Sequence, residues 1–139
     1  MTVATQAFRW TEMYKVNIEV LDRQHQGLFD TVNELNSALA SGDGEAVTAP
    51  ILRKLVEYAQ THFTTEEALM RKYNFCGLVA HKTEHDEFVE KVGRFLREHK
   101  EGKAGVPVAL LMFLQSWLRE HILVTDKAYS SFLNARGVR

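Results

Sequence analysis

From residue 25 onward, side chains that would face a protein interior recur at alternating steps of three and four. The first stripe is His25, Leu28, Val32, Leu35 and Leu39, the spacing of one face of an α-helix. It stops at Ser41-Gly42, where a glycine can take the left-handed C-terminal conformation. A second stripe runs through Leu52, Leu55, Ala59, His62, Glu66, Leu69 and Tyr73, and is broken by residues 74–77. A third, His81, His85, Phe88, Val92, Phe95 and His99, ends at Gly102. After Gly105 and Pro107 the pattern resumes with Leu110, Leu114, Trp117 and His121. The spacing predicts helices over about 19–41, 45–73, 79–101 and 107–135. Asp22 is the expected N-cap of the first. Pro50 is tolerated only near a helix start, so the second is expected to open with a short turn and run regularly from about 48. Ahead of the first helix, Val16, Ile18 and Val20 alternate with polar residues, which predicts an extended approach. Residues 1–17 read as an irregular arm whose Phe8, Trp10 and Tyr14 lie against the helices. Four amphipathic helices joined by short loops predict one all-α domain over residues 1–139. Its expected form is an antiparallel up-down-up-down four-helix bundle with an N-terminal arm and a short C-terminal helical extension.

The stripes carry polar residues where apolar ones belong. His62 and Glu66 are four apart, as are His81 and His85, so each pair shares a helix face. Heights along an up-down bundle follow from residue counts to the loops at one end. His25 to Ser41 is 16 residues, Thr48 to His62 is 14, His85 to Glu101 is 16, and Pro107 to His121 is 14. At about 1.5 Å per residue these are all roughly 21–24 Å. Five of the six histidines therefore fall at one level and face inward, which scattered core histidines would not do. His99 is the outlier, about 21 Å from His85 along the same helix, and reads as a partly exposed helix-end residue. Asp126 lies five residues after His121, which on an ideal α-helix turns it about 140° away. Its membership of the cluster requires a distorted helix between 121 and 126, for instance one π-type turn, which the β-branched Ile122, Val124 and Thr125 make easier.

Seven side chains (His25, His62, Glu66, His81, His85, His121 and Asp126) are too many for one six-coordinate ion. Two ions sharing both carboxylates as bridges, with an added oxo or hydroxo bridge, accommodate three imidazoles on one and two on the other. One coordination position is then left vacant. Imidazole and carboxylate suit iron, zinc or copper, and the lack of a cysteine cluster argues against structural zinc. No glutamate is followed by a histidine three residues on, the motif of carboxylate-rich di-iron sites.

Composition narrows the rest. The formal net charge is −1, which gives no electrostatic footprint for nucleic acid or an anionic membrane. The one cysteine, Cys76, excludes an internal disulfide, suits a reducing compartment, and reads as a small buried filler at a turn. No apolar run resembles a signal peptide or a membrane span, so a cytoplasmic location is expected. With no exposed apolar face in the pattern, a monomer is expected. The acids Glu84, Asp86, Glu87 and Glu90 read as a solvated outer face.

The segments Leu21-Asp22-Arg23-Gln24-His25, His62-Phe63-x-x-Glu66-Glu67, His81-x-x-x-His85 and His121-Ile122-x-x-x-Asp126-Lys127-x-Tyr129 together resemble the ligand signature of the hemerythrin family in its single-domain bacterial form. The resemblance runs from about residue 10 to 133. It implies a non-haem di-iron centre in which His81, His85 and His121 hold the six-coordinate iron, His25 and His62 hold the five-coordinate one, and Glu66 and Asp126 bridge. It also implies reversible binding of dioxygen, as a hydroperoxide at the five-coordinate iron, rather than enzymatic turnover. The apolar neighbours Leu28, Phe29, Phe63, Trp117 and Leu118 are the expected oxygen pocket. An oxygen or redox sensor, or an iron- or nitric-oxide-handling protein, could use the same centre; the 139 residues include no output domain. A two-metal hydrolase or an oxidase is the enzymatic alternative, but the pattern offers no substrate cleft and no surplus acid–base pair.

Overall fold

A computed structural model of the chain describes residues 8–139, which contain helices and no strand. After a 3-10 turn at Glu12–Tyr14, the helices are α1 (Glu19–Ala40), α2 (Gly44–Lys72), α3 (Leu78–Lys100) and α4 (Val106–Glu120). A π-helical segment, His121–Asp126, continues α4 without a break into α5 (Lys127–Asn134). Short loops reverse the chain between helices, α1 packs on α2 and α4, and α3 packs on α2 and α4. The expected up-down-up-down bundle is present, with residues 8–17 of the arm laid against it; residues 1–7 of the expected arm lie outside the described residues. No helix among the described residues is long and apolar enough to cross a membrane.

The start of α1 departs from expectation. Ile18, not Asp22, is the N-cap, and Val20 lies inside the helix and is exposed. Asp22 acts from within the first turn instead. Its buried carboxylate accepts hydrogen bonds from the backbone N–H groups of Val16 (2.8 Å) and Asn17 (3.1 Å). That reach needs the chain to fold back at Asn17, which sits at φ 60°, a left-handed conformation that asparagine tolerates better than most residues. The acid thus ties the arm to the helix rather than capping it from outside. α2 also differs. It is continuous from Gly44 with Pro50 inside it, so the short opening turn is absent. The missing donor of Pro50 falls within the first two turns, and the Thr48 hydroxyl bonds the Gly44 carbonyl there (2.6 Å). Gly44 packs closely, since a Cβ there would lie 2.7 Å from Leu39 Cδ2 and displace that methyl. Cys76 is exposed rather than buried, because its neighbour Phe75 fills the turn by packing on Phe132.

Two apolar clusters hold the bundle together. The larger joins Leu28, Phe29, Leu55, Phe88, Leu114 and Leu118, among others. The smaller, at the other end, joins Val16, Ile18, Leu21, Met70, Tyr129 and Leu133. The arm closes the larger one. Phe8 and Tyr14 are buried and meet Phe29 edge to face at ring separations of 4.3 and 4.7 Å, a favoured aromatic geometry. The Asn33 amide brackets Phe8, accepting from its N–H (2.6 Å) and donating to its carbonyl (3.0 Å). Lys127 Nζ bonds the Lys15 carbonyl and Ser130 Oγ the Val16 carbonyl, so the arm also fastens α5. Along each inner helix the polar stripe residues fall between the two clusters, and the site is sealed from both ends.

Replacing Asp22 by alanine leaves two N–H groups of the arm without acceptors. The expected loss is about 1–3 kcal/mol of unfolding free energy, measured by denaturant unfolding; an unchanged midpoint would show that the bonds contribute nothing.

Candidate metal centre

Each inner segment contributes to one buried cluster. His25 comes from α1, His62 and Glu66 from α2, His81 and His85 from α3, and His121 and Asp126 from the π segment. All seven are at most 3 % exposed. The π segment is what admits Asp126. Widening the helix by one residue per turn brings positions i and i+5 to the same side, and His121 Nε2 lies 3.0 Å from Asp126 Oδ1. The intervening Val124 is 71 % exposed, so the bulge turns its extra residue outward.

Distances divide the cluster in two. Asp126 Oδ1 is 2.9 Å from His81 Nε2, and Asp126 Oδ2 is 3.0 Å from His25 Nε2. Glu66 Oε1 lies 3.1 Å from His85 Nε2 and 3.4 Å from His62 Nε2. Two groups of prospective ligand atoms result, each within 4.8 Å of one another: Glu66, His81, His85, His121 and Asp126; and His25, His62, Glu66 and Asp126. Both carboxylates belong to both groups.

The donor set fits a pair of cations. His25 Nε2, His81 Nε2, Glu66 Oε1 and both Asp126 oxygens are buried without a hydrogen-bond partner. Several of them approach another polar atom within 3.0 Å, but not along hydrogen-bonding directions. Nε2 of His85 and Nε2 of His121, two nitrogens, face each other at 3.2 Å. Buried polar atoms left unpaired cost about 1–3 kcal/mol each, and ions seated among them would satisfy them all.

Without metal, protons take the place of cations. Burial alone would lower the pKa of His25, yet contact with Asp126 and Glu66 raises it to about 10. His81 is raised to about 9 by the same two acids against the same opposition, and His121 is also raised, chiefly by Asp126. His62 goes down, because burial outweighs its attraction to Glu66. Burial favours neutral carboxyls, and for Asp126 the neighbouring Glu66 adds to that. The surrounding imidazoles, His62 foremost for Glu66 and His121 for Asp126, nevertheless hold both acids low.

A surrounding layer fixes the imidazoles, and most of it escapes the sequence reading. Nδ1–H of His85 donates to Glu67 Oε2 (2.7 Å), that of His121 to Glu84 Oε1 (2.8 Å), and that of His62 to Gln24 Oε1 (2.6 Å). Such partners set the tautomer and turn Nε2 toward a metal. Glu84 is therefore not simply part of a solvated face. It is half-exposed, and the Thr125 hydroxyl donates to both its oxygens (2.9 and 3.0 Å). Asp86, Glu87 and Glu90 are exposed as expected. Burial, then the two nearby carboxylates, push the Tyr129 phenol well above its ordinary pKa, so it keeps its proton and donates it to Glu66 Oε2. None of the three is visible to helix spacing, because Glu67, Gln24 and Glu84 each serve a histidine on another helical segment. His99 stands apart, partly buried and 3.7 Å from Glu45.

Of the apolar residues expected at the site, Phe63 and Trp117 lie against its imidazoles. Phe63 stacks flat on His85, with ring centres 3.7 Å apart and planes at 3°. Trp117, half-buried, stacks on His121 at 4.2 Å and 13°. Leu28, Phe29 and Leu118 are buried in the larger cluster, together with Ile122, which the sequence reading did not single out.

Because His25 and His81 carry protons at neutral pH, a metal must expel them. Loading the apoprotein with a divalent ion should release about two protons, and apparent affinity should rise with pH until the imidazole values of about 9 and 10 are passed. Titration in weakly buffered solution between pH 6 and 9 measures both; affinity that does not change with pH would contradict the assignment.

The pattern of the hemerythrin HHE cation binding domain matches residues 16–133. A bacteriohemerythrin of Methylococcus capsulatus is 33% identical over 127 residues, which cover 91% of this chain and 96% of the relative. A myohemerythrin of Theromyzon tessulatum is 32% identical, covering 91% of this chain and 93% of its own. Among solved structures, a wild-type hemerythrin superposes with a TM-score of 0.80 at 31% identity, covering 92% of this chain and 97% of that one. A buried cluster of imidazoles and shared carboxylates inside a four-helix bundle, matched over nearly its whole length, places this chain in the hemerythrin family.

Proposed function

We propose that this protein binds dioxygen reversibly at a non-haem di-iron centre, as a carrier, store or delivery protein rather than an enzyme. The observation that carries the reading is the pair of overlapping ligand groups that share Glu66 and Asp126. One group offers three imidazoles and the other two, so the second is the position with room for an added ligand. His81, His85 and His121 would hold one iron, His25 and His62 the other, and the two carboxylates both. A pair of irons so held would supply reversible two-electron exchange with dioxygen.

The chain's own residues make reversibility plausible on physical grounds. Only two of the seven ligand side chains are anionic, which stabilises high-valent iron less than a carboxylate-rich set and favours release over oxidation of a substrate. The Tyr129 hydroxyl orients one shared carboxylate, and its raised pKa keeps it from acting as a ready proton source. Phe63 and Trp117 stack on the imidazoles of His85 and His121 and belong to the same apolar cluster as Leu28, Phe29 and Leu118, which together would form an apolar wall. That wall would keep water and protons away from the open metal position.

Iron-loaded, reduced protein should gain a visible absorption band on aeration and lose it under vacuum, with two irons per chain. A colourless protein, or a spectrum that does not return, would contradict reversible binding. Leu118→Asn, which admits a polar group to the wall, should hasten loss of the oxygenated form several-fold; an unchanged decay rate would remove Leu118 from that role.

A further inference from the structure

The two halves of the cluster differ in what stands behind their imidazoles. In the three-histidine half, Nδ1–H groups of His85 and His121 donate to carboxylates, Glu67 at 2.7 Å and Glu84 at 2.8 Å. In the two-histidine half, His62 donates to the neutral amide oxygen of Gln24 at 2.6 Å, and Nδ1 of His25 is buried with no hydrogen-bond partner. A carboxylate behind an imidazole draws its Nδ1 proton and makes Nε2 a more basic, more strongly held ligand; an amide does so weakly. Glu84 is moreover locked in place by the Thr125 hydroxyl on both oxygens, so the π segment that supplies His121 and Asp126 also aims the acid behind His121.

We propose that Glu84 and Glu67 are positioning residues that make the three-histidine half the tightly held metal position, leaving the Gln24-backed half as the labile one, so that metal enters and leaves in two unequal steps. The inference rests on the two-metal reading of the site. Ligand number alone would already favour the three-histidine half, so the part assigned to the acids is tested by variants that leave all seven ligands in place. Glu84→Gln keeps an acceptor of the same shape and removes only the charge. Thr125→Val frees Glu84 without altering it. Gln24→Glu brings a carboxylate to the other half.

The experiment follows release of ferrous iron from the loaded protein to an excess of a ferrous chelator, under anaerobic conditions, with helicity recorded before and after. Native protein should lose its iron in two phases of equal amplitude. Glu84→Gln and Glu67→Gln should speed the slow phase by about 10–100-fold while sparing the fast one. Thr125→Val should act in the same direction to a smaller extent, and Gln24→Glu should slow the fast phase. A slow phase untouched by Glu84→Gln and Thr125→Val, or both phases accelerated alike, would overturn the proposal while leaving two-metal binding intact. A native protein that takes up no iron would overturn the two-metal reading itself.

Discussion

The structure depends on burying two carboxylates, Glu66 and Asp126, at the centre of a bundle otherwise sealed by leucine and phenylalanine. Ionised carboxyls in such surroundings are costly unless cations accompany them. His25, His81 and His121, whose pKa values are raised, do so here, and both acids belong to each half of the cluster. No single helix could supply this balance. The arrangement requires α1, α2, α3 and the π segment at one height and in one rotational register, so the packing of the whole bundle is set by the requirement to neutralise its centre.

That requirement explains features that fold stability alone would not select. A π segment in place of regular α-helix strains the hydrogen-bond ladder, yet it turns Asp126 inward and brings Thr125 to Glu84. The arm costs ordering entropy, yet Asp22, Asn33, Lys127 and Ser130 all hold it down, and it covers the end of the cluster where Trp10 lies 6.4 Å from the His25 ring. Apolar clusters on both sides keep water from screening the acids and imidazoles. Chemistry and packing are the same problem here: a dry centre makes charges interact strongly, and strong interaction fixes the helices.

The bundle itself was legible because its helices carry long stripes of period three and four with glycines at their ends, which is the most direct signal a sequence offers. The level of the histidines was legible for the same reason, since a straight helix converts residue number into height. What the sequence hid lies where one element meets another. Asp22 has the composition of an N-cap, but its partners are behind it, at a left-handed Asn17. Glu84 looks like one of a run of surface acids, and only the approach of α3 to the π segment shows that it differs from Glu87 and Glu90. Cys76 is small enough to bury, but the bulkier Phe75 beside it wins the space. α1 runs from Glu19 and α2 from Gly44, so Val20 lies within a helix rather than in an extended approach, and Pro50 is accommodated inside one.

The central claim is that the two ligand groups are two metal positions sharing a pair of acids. A crystal structure of the iron-loaded protein, with anomalous scattering recorded at the iron edge, tests it most directly. The account predicts two iron peaks in each molecule, one among His81, His85 and His121 and the other beside His25 and His62, with Glu66 and Asp126 reaching both. A single peak at full iron loading, or iron bound with either acid turned away, would contradict it.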